Sequence, residues 1–425
     1  MNKIFESKFL IKLQEFGQKL GNNKFLNALQ GAMMASMGVV MVGAIFQIIC
    51  AIGPMFHLFE AGDAVYNLLF MPYNYTMNLL SLWIVVLMSY NYAKSLGMKS
   101  PVINAIDATV CFLIAANAFT VTSEGAAVLN MGSLGATGMF ASFLVVFVVI
   151  RVEKFCVDKN IRIKMPEVCP PFLVNGFSAI IPLLINVSLF MIISTVITSV
   201  SGGTLNLASG IMAVLAAPLN ILISIPGMFI LGILTAVLWC FGIHGTMIVS
   251  PILMPMMFQA LTENAALHAA GQPMVFYPVL LYGAVALCGG TGNTWSLVLM
   301  GLRSKSKQIN AVSKASLIPG WFGINEPVTF GMPIMYNPIL CIPYILNIPV
   351  VMLLMWAGYA TGFIIPAWIP IMTLMPIGFS AYLGTLNWRN ALFNYLMLIP
   401  TYIVYYPFFK VYEKQLIAKE TEAEA

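Results

Sequence analysis

Apolar residues recur along the chain in long runs that short polar segments separate. A helix needs roughly 20 apolar residues to cross about 30 Å of hydrocarbon. Runs of this length without polar–apolar alternation favour helices over the strands of a membrane barrel. The pattern predicts ten transmembrane helices, near residues 32–52, 75–93, 103–122, 138–157, 176–200, 222–241, 276–300, 339–361, 363–383 and 390–409.

Polar breaks interrupt this pattern in the second half of the chain. Segments 242–262 and 317–338 are predicted to enter the membrane and turn back, and 303–314 to form an amphipathic helix at an interface. Residues 1–25 place lysines among phenylalanines and leucines that recur every three or four positions. This spacing predicts a basic amphipathic helix on the cytoplasmic membrane surface.

Composition supports an all-α polytopic membrane protein. The chain is 60% hydrophobic and 8% charged, with a mean hydropathy of +0.91. The net charge of +5 does not indicate a nucleic-acid partner, because the basic residues lie at the ends of apolar runs. Such residues are topology signals, and they place both termini in the cytoplasm. The cysteines have no metal-ligand spacing and are interpreted as small core residues.

The contrast between regular and interrupted spans predicts a domain organisation. A surface helix over 1–25 precedes a five-span domain over 26–200, a domain with the interrupted segments over 201–412, and a cytoplasmic tail over 413–425. The charged end of the tail, 419–425, is predicted to be disordered. No internal repeat is visible in the sequence.

Three polar stretches in the second half combine glycines with hydrogen-bonding side chains: FGIHGT (241–246), GGTGNTW (289–295) and WFGINEPVTFG (321–331). Irregular backbone at membrane depth is tolerated where it is buried or lines a wet cavity. Thr291 and Asn293 supply neutral donors and acceptors, and Trp295 supplies a flat apolar face, a set that suits a sugar. A packed helix break is the alternative. Trp295 occupies the last glycine position of GxGxxG and no GxxxxGK[ST] occurs, which disfavours nucleotide binding.

Glu326 and His244 are the candidate reactive residues. A carboxylate at the centre of a membrane helix costs about 2.5–3.5 kcal/mol on insertion scales, so Glu326 is expected to bind or to react. The alternative is a carboxylate that caps a half-helix or pairs with a buried donor. His244 lies between glycines in an apolar segment and is the natural acid–base partner, unless a backbone carbonyl merely satisfies it. In the first half, Asp107 is expected near the cytoplasmic end beside Lys99 rather than in the bundle interior, and Asn104 is expected to join helices.

These motifs resemble a known family. MPEVCPPFLVNGFSAIIP (165–182), GIHG around His244, GGTGNTW and FGINEPVTFGMPIMYNP (322–338) resemble the enzyme IIC membrane component of the bacterial phosphoenolpyruvate-dependent phosphotransferase system, in its lactose/cellobiose/diacetylchitobiose branch. The resemblance implies a homodimer of ten-helix protomers in the bacterial cell membrane. The first five spans would form the dimer contact, and the second half would hold the sugar.

The resemblance also implies site residues and partners. Glu326 and His244 would contact the sugar near the hydroxyl to be phosphorylated, and Asn325 would be a further ligand. The expected substrate is a β-linked disaccharide, the expected phosphoryl donor is a separate enzyme IIB protein, and no metal or nucleotide cofactor is expected. A proton- or sodium-coupled sugar symporter is the alternative, because a single intramembrane carboxylate with a histidine also suits proton coupling.

Overall fold

The structure is a computed structural model that describes residues 15, 19, 22–60, 62–121, 125–166, 169–371 and 375–424. Most of the surface helix predicted over 1–25 lies outside these residues. Two compact units divide the chain: an N-terminal unit, Asn22–Asn220, and a C-terminal unit that contains Ile221–Ala425.

Helices build the N-terminal unit. They are α1 (Lys24–Ala35), α2 (Met37–Met55), α3 (Ala64–Thr76), α4 (Leu80–Ser95), α5 (Pro101–Ala115), α6 (Met139–Asp158), α7 (Pro171–Val200) and α8, which runs from Leu207 to Leu222. A short antiparallel hairpin of β1 (Phe119–Val121) and β2 (Ala127–Leu129) follows α5.

Helix α4 forms the centre of this unit. Leu80, Ile84, Met88 and Tyr92 recur every four residues and are fully buried, so they form one stripe along the helix. Helix α4 packs against α1, α5 and α6.

The C-terminal unit contains more interruptions. Its helices are α9 (Ile225–Cys240), α10 (Gly245–Ala269), a 3-10 helix (Pro278–Ala286), α11 (Trp295–Gly301), α12 (Lys307–Trp321), α13 (Glu326–Gly331), α14 (Pro338–Ala360), α15 (Phe379–Thr385), α16 (Trp388–Leu396) and α17 (Leu398–Glu424). Helix α14 packs against α9 and α17.

The structure agrees with a helical membrane protein. Among the described residues, five helical stretches are long and apolar enough to cross a membrane: Lys24–Pro54, Leu173–Val200, Gly245–Ala269, Pro338–Ala360 and Trp388–Glu422. Helices α5 and α9 are shorter and apolar. The count of ten spans and the two re-entrant segments stay predictions.

Several predicted spans are not continuous helices; span 103–122, for example, is helical only to Ala115 and ends in β1. Segment 276–300 is a 3-10 helix, then a turn at 289–293, then α11, because Gly289, Gly290 and Gly292 take positive φ angles that a helix does not allow. Segment 363–383 is mostly irregular in its described part, and only α15 is helical. Pro366, Pro370 and Pro376 explain this, since proline lacks the amide that a helix needs.

The predicted interrupted segments differ from each other. Segment 242–262 lies mostly in α10, whose 25 residues run without a break from Gly245 to Ala269 and are enough to cross a bilayer. Segment 317–338 is broken, because α12 ends at Trp321 and α13 begins only at Glu326. Gly323, at φ +83°, makes the turn between them.

Two boundaries also move. The division predicted near residue 200 lies at residue 220, since α8 belongs mostly to the N-terminal unit, where the Asn206 amide donates to the Ala116 carbonyl at 3.1 Å. The tail over 413–425, whose end was predicted to be disordered, is helical to Glu424 because α17 continues through it.

Candidate functional site

The three polar stretches of the sequence meet inside the C-terminal unit. The hydroxyl oxygens of Thr246 and Thr291 lie 2.9 Å apart, which joins the first stretch to the second. The side-chain amide of Asn325 donates to the carbonyl of Thr291 at 2.8 Å, which joins the third stretch. One cluster therefore contains the histidine turn, the glycine-rich turn and the start of α13.

Glycine makes this close approach possible. A Cβ at Gly290, whose φ is +80°, would lie 2.7 Å from Cβ and Cγ of Asn325. A Cβ at Gly292 would lie 2.4 Å from the Tyr344 ring, and the Tyr405 hydroxyl donates to the Gly292 carbonyl at 2.8 Å. Only a residue without a side chain lets the 289–295 turn pack here.

Asn325 and Glu326 open α13. Asn325 is 4% exposed, and its carbonyl accepts both the amide and the hydroxyl of Thr329, at 2.9 and 2.8 Å. Glu326 is the first helical residue and Pro327 the second, a position where proline's missing amide costs nothing. Glu326 is half-buried, and no hydrogen bond to its carboxylate comes from the residues that the structure describes. Glu326 lies in the first turn of the short helix α13, so its alternative role as the cap of a half-helix stays open, and its role as a sugar ligand stays a prediction.

His244 precedes α10 and caps it. Its Nδ1 accepts the amide of Met247 at 3.3 Å, and its ring lies 4.3 Å from the Trp239 ring between centroids. Because Nδ1 is an acceptor, a neutral His244 carries its proton on Nε2, where it can donate. The imidazole is close enough to Glu326 for their charges to interact.

The other predicted ligands have structural partners. The Thr291 hydroxyl bonds Thr246. Asn293 is fully buried, with Oδ1 accepting the Cys288 amide at 2.9 Å and Nδ2 donating to the Ala284 carbonyl at 3.0 Å, so its amide holds the turn. The indole of Trp295 donates to the Leu317 carbonyl at 3.0 Å. Sugar contact by these three residues stays a prediction.

Sequence reasoning did not single out several residues of the cluster. Tyr336 donates its amide to the Cys240 carbonyl at 2.9 Å and its hydroxyl to the Phe241 carbonyl at 2.7 Å, which ties the histidine turn to the segment after α13. Tyr336 lies within the MPIMYNP stretch, so that sequence motif was a local signal that could have identified it. Tyr405 lies far along the chain in α17, where no local pattern marks it.

A separate cavity of about 260 Å³ lies in the same unit. Its walls are mostly apolar, with Asn390, Asn394 and Thr385 among the few polar residues, and none of the six predicted site residues lines it. The polar cluster around Glu326 therefore remains the candidate site, because its side chains offer the hydrogen-bonding groups that the site needs.

The fold and the cluster together define a helical membrane protein with a polar site among apolar helices. The family model for the phosphotransferase system EIIC component matches residues 30–347, well over half of the chain. The protein belongs to this family.

Relatives cover nearly all of the chain. The lactose-specific EIICB component of Streptococcus mutans is 29% identical over 97% of this chain and 73% of its own length. The oligo-beta-mannoside-specific EIIC component of Bacillus subtilis is 28% identical over 98% of this chain and 95% of its own. The crystal structure of ChbC, the IIC component of the N,N'-diacetylchitobiose-specific phosphotransferase system, superposes with a TM-score of 0.89 at 28% identity, over 97% and 99% of the two chains.

These findings confirm the resemblance. The chain is a sugar permease component of a phosphotransferase system, a multi-pass membrane protein of the bacterial cell, and not an ion-coupled symporter.

Proposed function

We propose that this protein carries a β-linked disaccharide inward and presents one of its hydroxyl groups at Glu326 for phosphorylation by a separate enzyme IIB protein. The relatives named for lactose, oligo-beta-mannoside and diacetylchitobiose support this substrate class. The observation that carries the proposal is the Glu326 carboxylate, which is half-buried, within electrostatic range of His244 and without a hydrogen-bond donor among the described residues.

Glu326 receives the reacting hydroxyl. The sugar O–H donates to the carboxylate, which aligns the oxygen with the incoming phosphoryl group. A bond forms between the sugar oxygen and phosphorus, the bond between phosphorus and its carrier residue on IIB breaks, and the hydroxyl proton passes to Glu326. Phosphoryl transfer depends on such positioning more than on covalent help from the acceptor side.

His244 holds this arrangement in register. With Nδ1 occupied by the Met247 amide, Nε2–H is the free donor of the neutral ring. Nε2–H donates a hydrogen bond either to the Glu326 carboxylate or to a second sugar oxygen. Asn325, whose Nδ2 is bound to Thr291, offers its Oδ1 to a neighbouring hydroxyl.

Thr291, Asn293 and Trp295 complete the proposed sugar site. Asn293 acts by fixing the 289–295 turn, since both of its amide atoms already bind backbone groups. Thr291 presents its hydroxyl beside that of Thr246, and the partly exposed Trp295 offers a ring face to the sugar.

The assembly follows the same proposal. The N-terminal unit forms the homodimer contact, the C-terminal unit carries the sugar past it, and both termini face the cytoplasm, where IIB docks. Segments 242–262 and 317–338 enter the membrane and turn back as parts of the moving unit, the first at the break before α10 and the second at the break before α13.

The test uses purified protein reconstituted in lipid vesicles. Sugar is added outside the vesicles, and phosphorylated IIB is enclosed inside them. Glu326→Gln keeps the size of the side chain but cannot take a proton, so we expect loss of sugar phosphate accumulation by at least about 100-fold. Sugar binding should weaken much less.

Glu263→Gln is the matched control, because Glu263 is a carboxylate of the same unit that Gln259 and Tyr277 already bind. It should retain accumulation. Accumulation by Glu326→Gln at the wild-type rate would refute the role of Glu326, and accumulation without phosphorylated IIB would refute the separate donor.

A further inference from the structure

A second polar cluster lies in the N-terminal unit, which contains none of the residues of the proposed sugar site. Asn104 and Asp107 are one turn apart on α5 and face Glu153 on α6. They are 8%, 3% and 2% exposed, respectively. The side-chain amide of Asn104 donates to Oε2 of Glu153 at 2.7 Å, which confirms the expected helix-joining role of Asn104. Asp107 is buried in the bundle, the less expected of its two placements, and it also lines a cavity together with Lys99, the neighbour that was expected.

Three oxygens of this cluster have no hydrogen-bond partner: Asn104 Oδ1, Asp107 Oδ2 and Glu153 Oε1. Burial of unpaired polar groups is costly, and burial of unpaired carboxylates more so. The described residues form no ion pair between either carboxylate and a lysine or arginine. A proton, water or a cation can compensate these oxygens.

A proton shared by the carboxyl groups compensates only part of the cluster. Asp107 and Glu153 are close enough to hydrogen-bond each other when one of them is protonated. That proton serves one oxygen of each carboxyl group. It leaves the carbonyl oxygen of Asn104 unpaired, although this side chain is more than nine-tenths buried. A cation with its bound water serves all three oxygens together, whereas the shared proton needs an added water at Asn104.

The cluster opens into a cavity of about 180 Å³ that Asn104, Asp107 and Glu153 line together with Lys99 and Arg162. A water molecule takes about 30 Å³ in the liquid, so the cavity has room for a cation and several waters. Carboxylate and amide oxygens with water are the ligands of hard cations.

We propose that Asp107, Glu153 and Asn104 bind a divalent cation of the Mg²⁺ class in this cavity. Mg²⁺ is typically held by one or two carboxylates and keeps several waters, which fits two carboxylates, one amide oxygen and a wet cavity. The described residues contain no group of three His, Cys, Asp or Glu side chains placed to hold a metal, so the amide oxygen of Asn104 and water must supply the remaining ligands. Transition metals fit poorly, because all three side chains offer only oxygen. On binding, the cation displaces any proton between Asp107 and Glu153. Lys99 and Arg162 weaken the site, so we expect a dissociation constant on the order of 1 mM.

The test uses the full chain in lipid nanodiscs with Mn²⁺ as the paramagnetic probe and Mg²⁺ as the competitor. We expect saturable binding of one Mn²⁺, competed by Mg²⁺, and an increase in thermal unfolding temperature with Mg²⁺ at constant ionic strength. Asp107→Asn and Glu153→Gln should weaken binding by about 10–100-fold.

Two further variants keep the outcome clear if those proteins fold poorly. Asn104→Asp adds a carboxylate of nearly the same size and should tighten Mn²⁺ binding, a gain that misfolding cannot produce. Asp158→Asn, on the same helix but exposed and paired with Lys154, should leave binding unchanged. Absence of saturable binding, or binding that all four variants leave unchanged, would mean that the carboxyl pair only shares a proton and would overturn the proposal. Stabilisation by Na⁺ alone would overturn the divalent assignment.

Discussion

At the scale of single residues, backbone conformation decides where the chemistry lies. The 289–295 turn reaches Asn325 only because glycines adopt positive φ and present no side chain at the contact. Asn293 also takes positive φ, at +56°, and its amide replaces the helical hydrogen bonds that the turn lacks. Glu326 is placed by its neighbours: Asn325 is anchored to Thr291, and Pro327 fixes the first turn of α13.

Gly290→Ala is predicted to disrupt the site. A Cβ at this position would both adopt a positive φ and press on Asn325 at 2.7 Å, so we expect a loss of unfolding free energy of about 2–4 kcal/mol and a loss of sugar binding. Thermal unfolding and sugar binding in detergent measure the two effects.

Gly362→Ala is the control for this change. Gly362 has φ +70° and nothing within 4 Å of its added Cβ, so this variant has the unfavourable backbone conformation but no steric clash. It should lose only about 1–2 kcal/mol and keep sugar binding. Equal losses in the two variants would show that contact with Asn325 does not matter.

At the scale of elements, the C-terminal helix stabilises the start of the helix that leads to the site. Oε1 of Glu420 on α17 accepts the Ser306 hydroxyl at 2.7 Å and the Gln308 amide at 3.0 Å, and Oε2 accepts the Lys307 amide at 3.1 Å. A carboxylate at these otherwise unpaired amides is favourable at a helix N-terminus. Since α12 ends at the turn before Glu326, α17 helps to fix the approach to the site.

Glu420→Gln is predicted to loosen the first turn of α12. The substituted amide has one acceptor oxygen instead of two and presents a donor to the Lys307 N–H, so hydrogen exchange at residues 306–309 should accelerate severalfold. Hydrogen–deuterium exchange with mass spectrometry measures this rate.

Glu422→Gln removes the same charge two residues further along α17 and should leave exchange at 306–309 unchanged. If both variants accelerate exchange equally, net charge at the end of α17 matters rather than the contact with α12.

At the scale of the whole molecule, each unit carries its own polar centre. The N-terminal unit surrounds Asp107 and Glu153, and the C-terminal unit surrounds Glu326. Helix α7 of the N-terminal unit is very apolar but only 17% of its most hydrophobic stretch is buried within the chain, so lipid or a second copy must cover it. The proposed homodimer assigns part of this surface to the second copy.

We predict that native mass spectrometry in mild detergent will detect a particle of twice the 46.4 kDa chain mass. Ile192 on α7 is 64% exposed, and Ile192→Trp should shift the protein toward monomer because it adds bulk to the proposed contact. Ile403→Trp is the control, since Ile403 is 65% exposed on α17 in the other unit. A monomer in the unmodified protein, or an equal effect of both variants, would contradict this placement of the contact.

The sequence by itself determined the class of the protein and its family. Apolar runs long enough for a bilayer predicted membrane helices because hydrocarbon leaves backbone groups no other partner. The motifs around His244 and Glu326 were sufficient for the family, because each combines polar residues with glycine in an apolar context. Local signals of this kind need no knowledge of distant contacts.

Only the tertiary structure decided how these pieces meet. Segments 276–300 and 363–383 have the composition of membrane spans. Glycine conformations break the first helix and prolines break the second, and the backbone groups left without a helical partner bond to distant residues. The link from Thr291 to Asn325, the place of Tyr405 and the meeting of Asp107 with Glu153 join positions far apart in the chain. Hydropathy measures transfer of each residue into lipid, whereas these contacts depend on which side chains the packed helices bring within hydrogen-bonding distance.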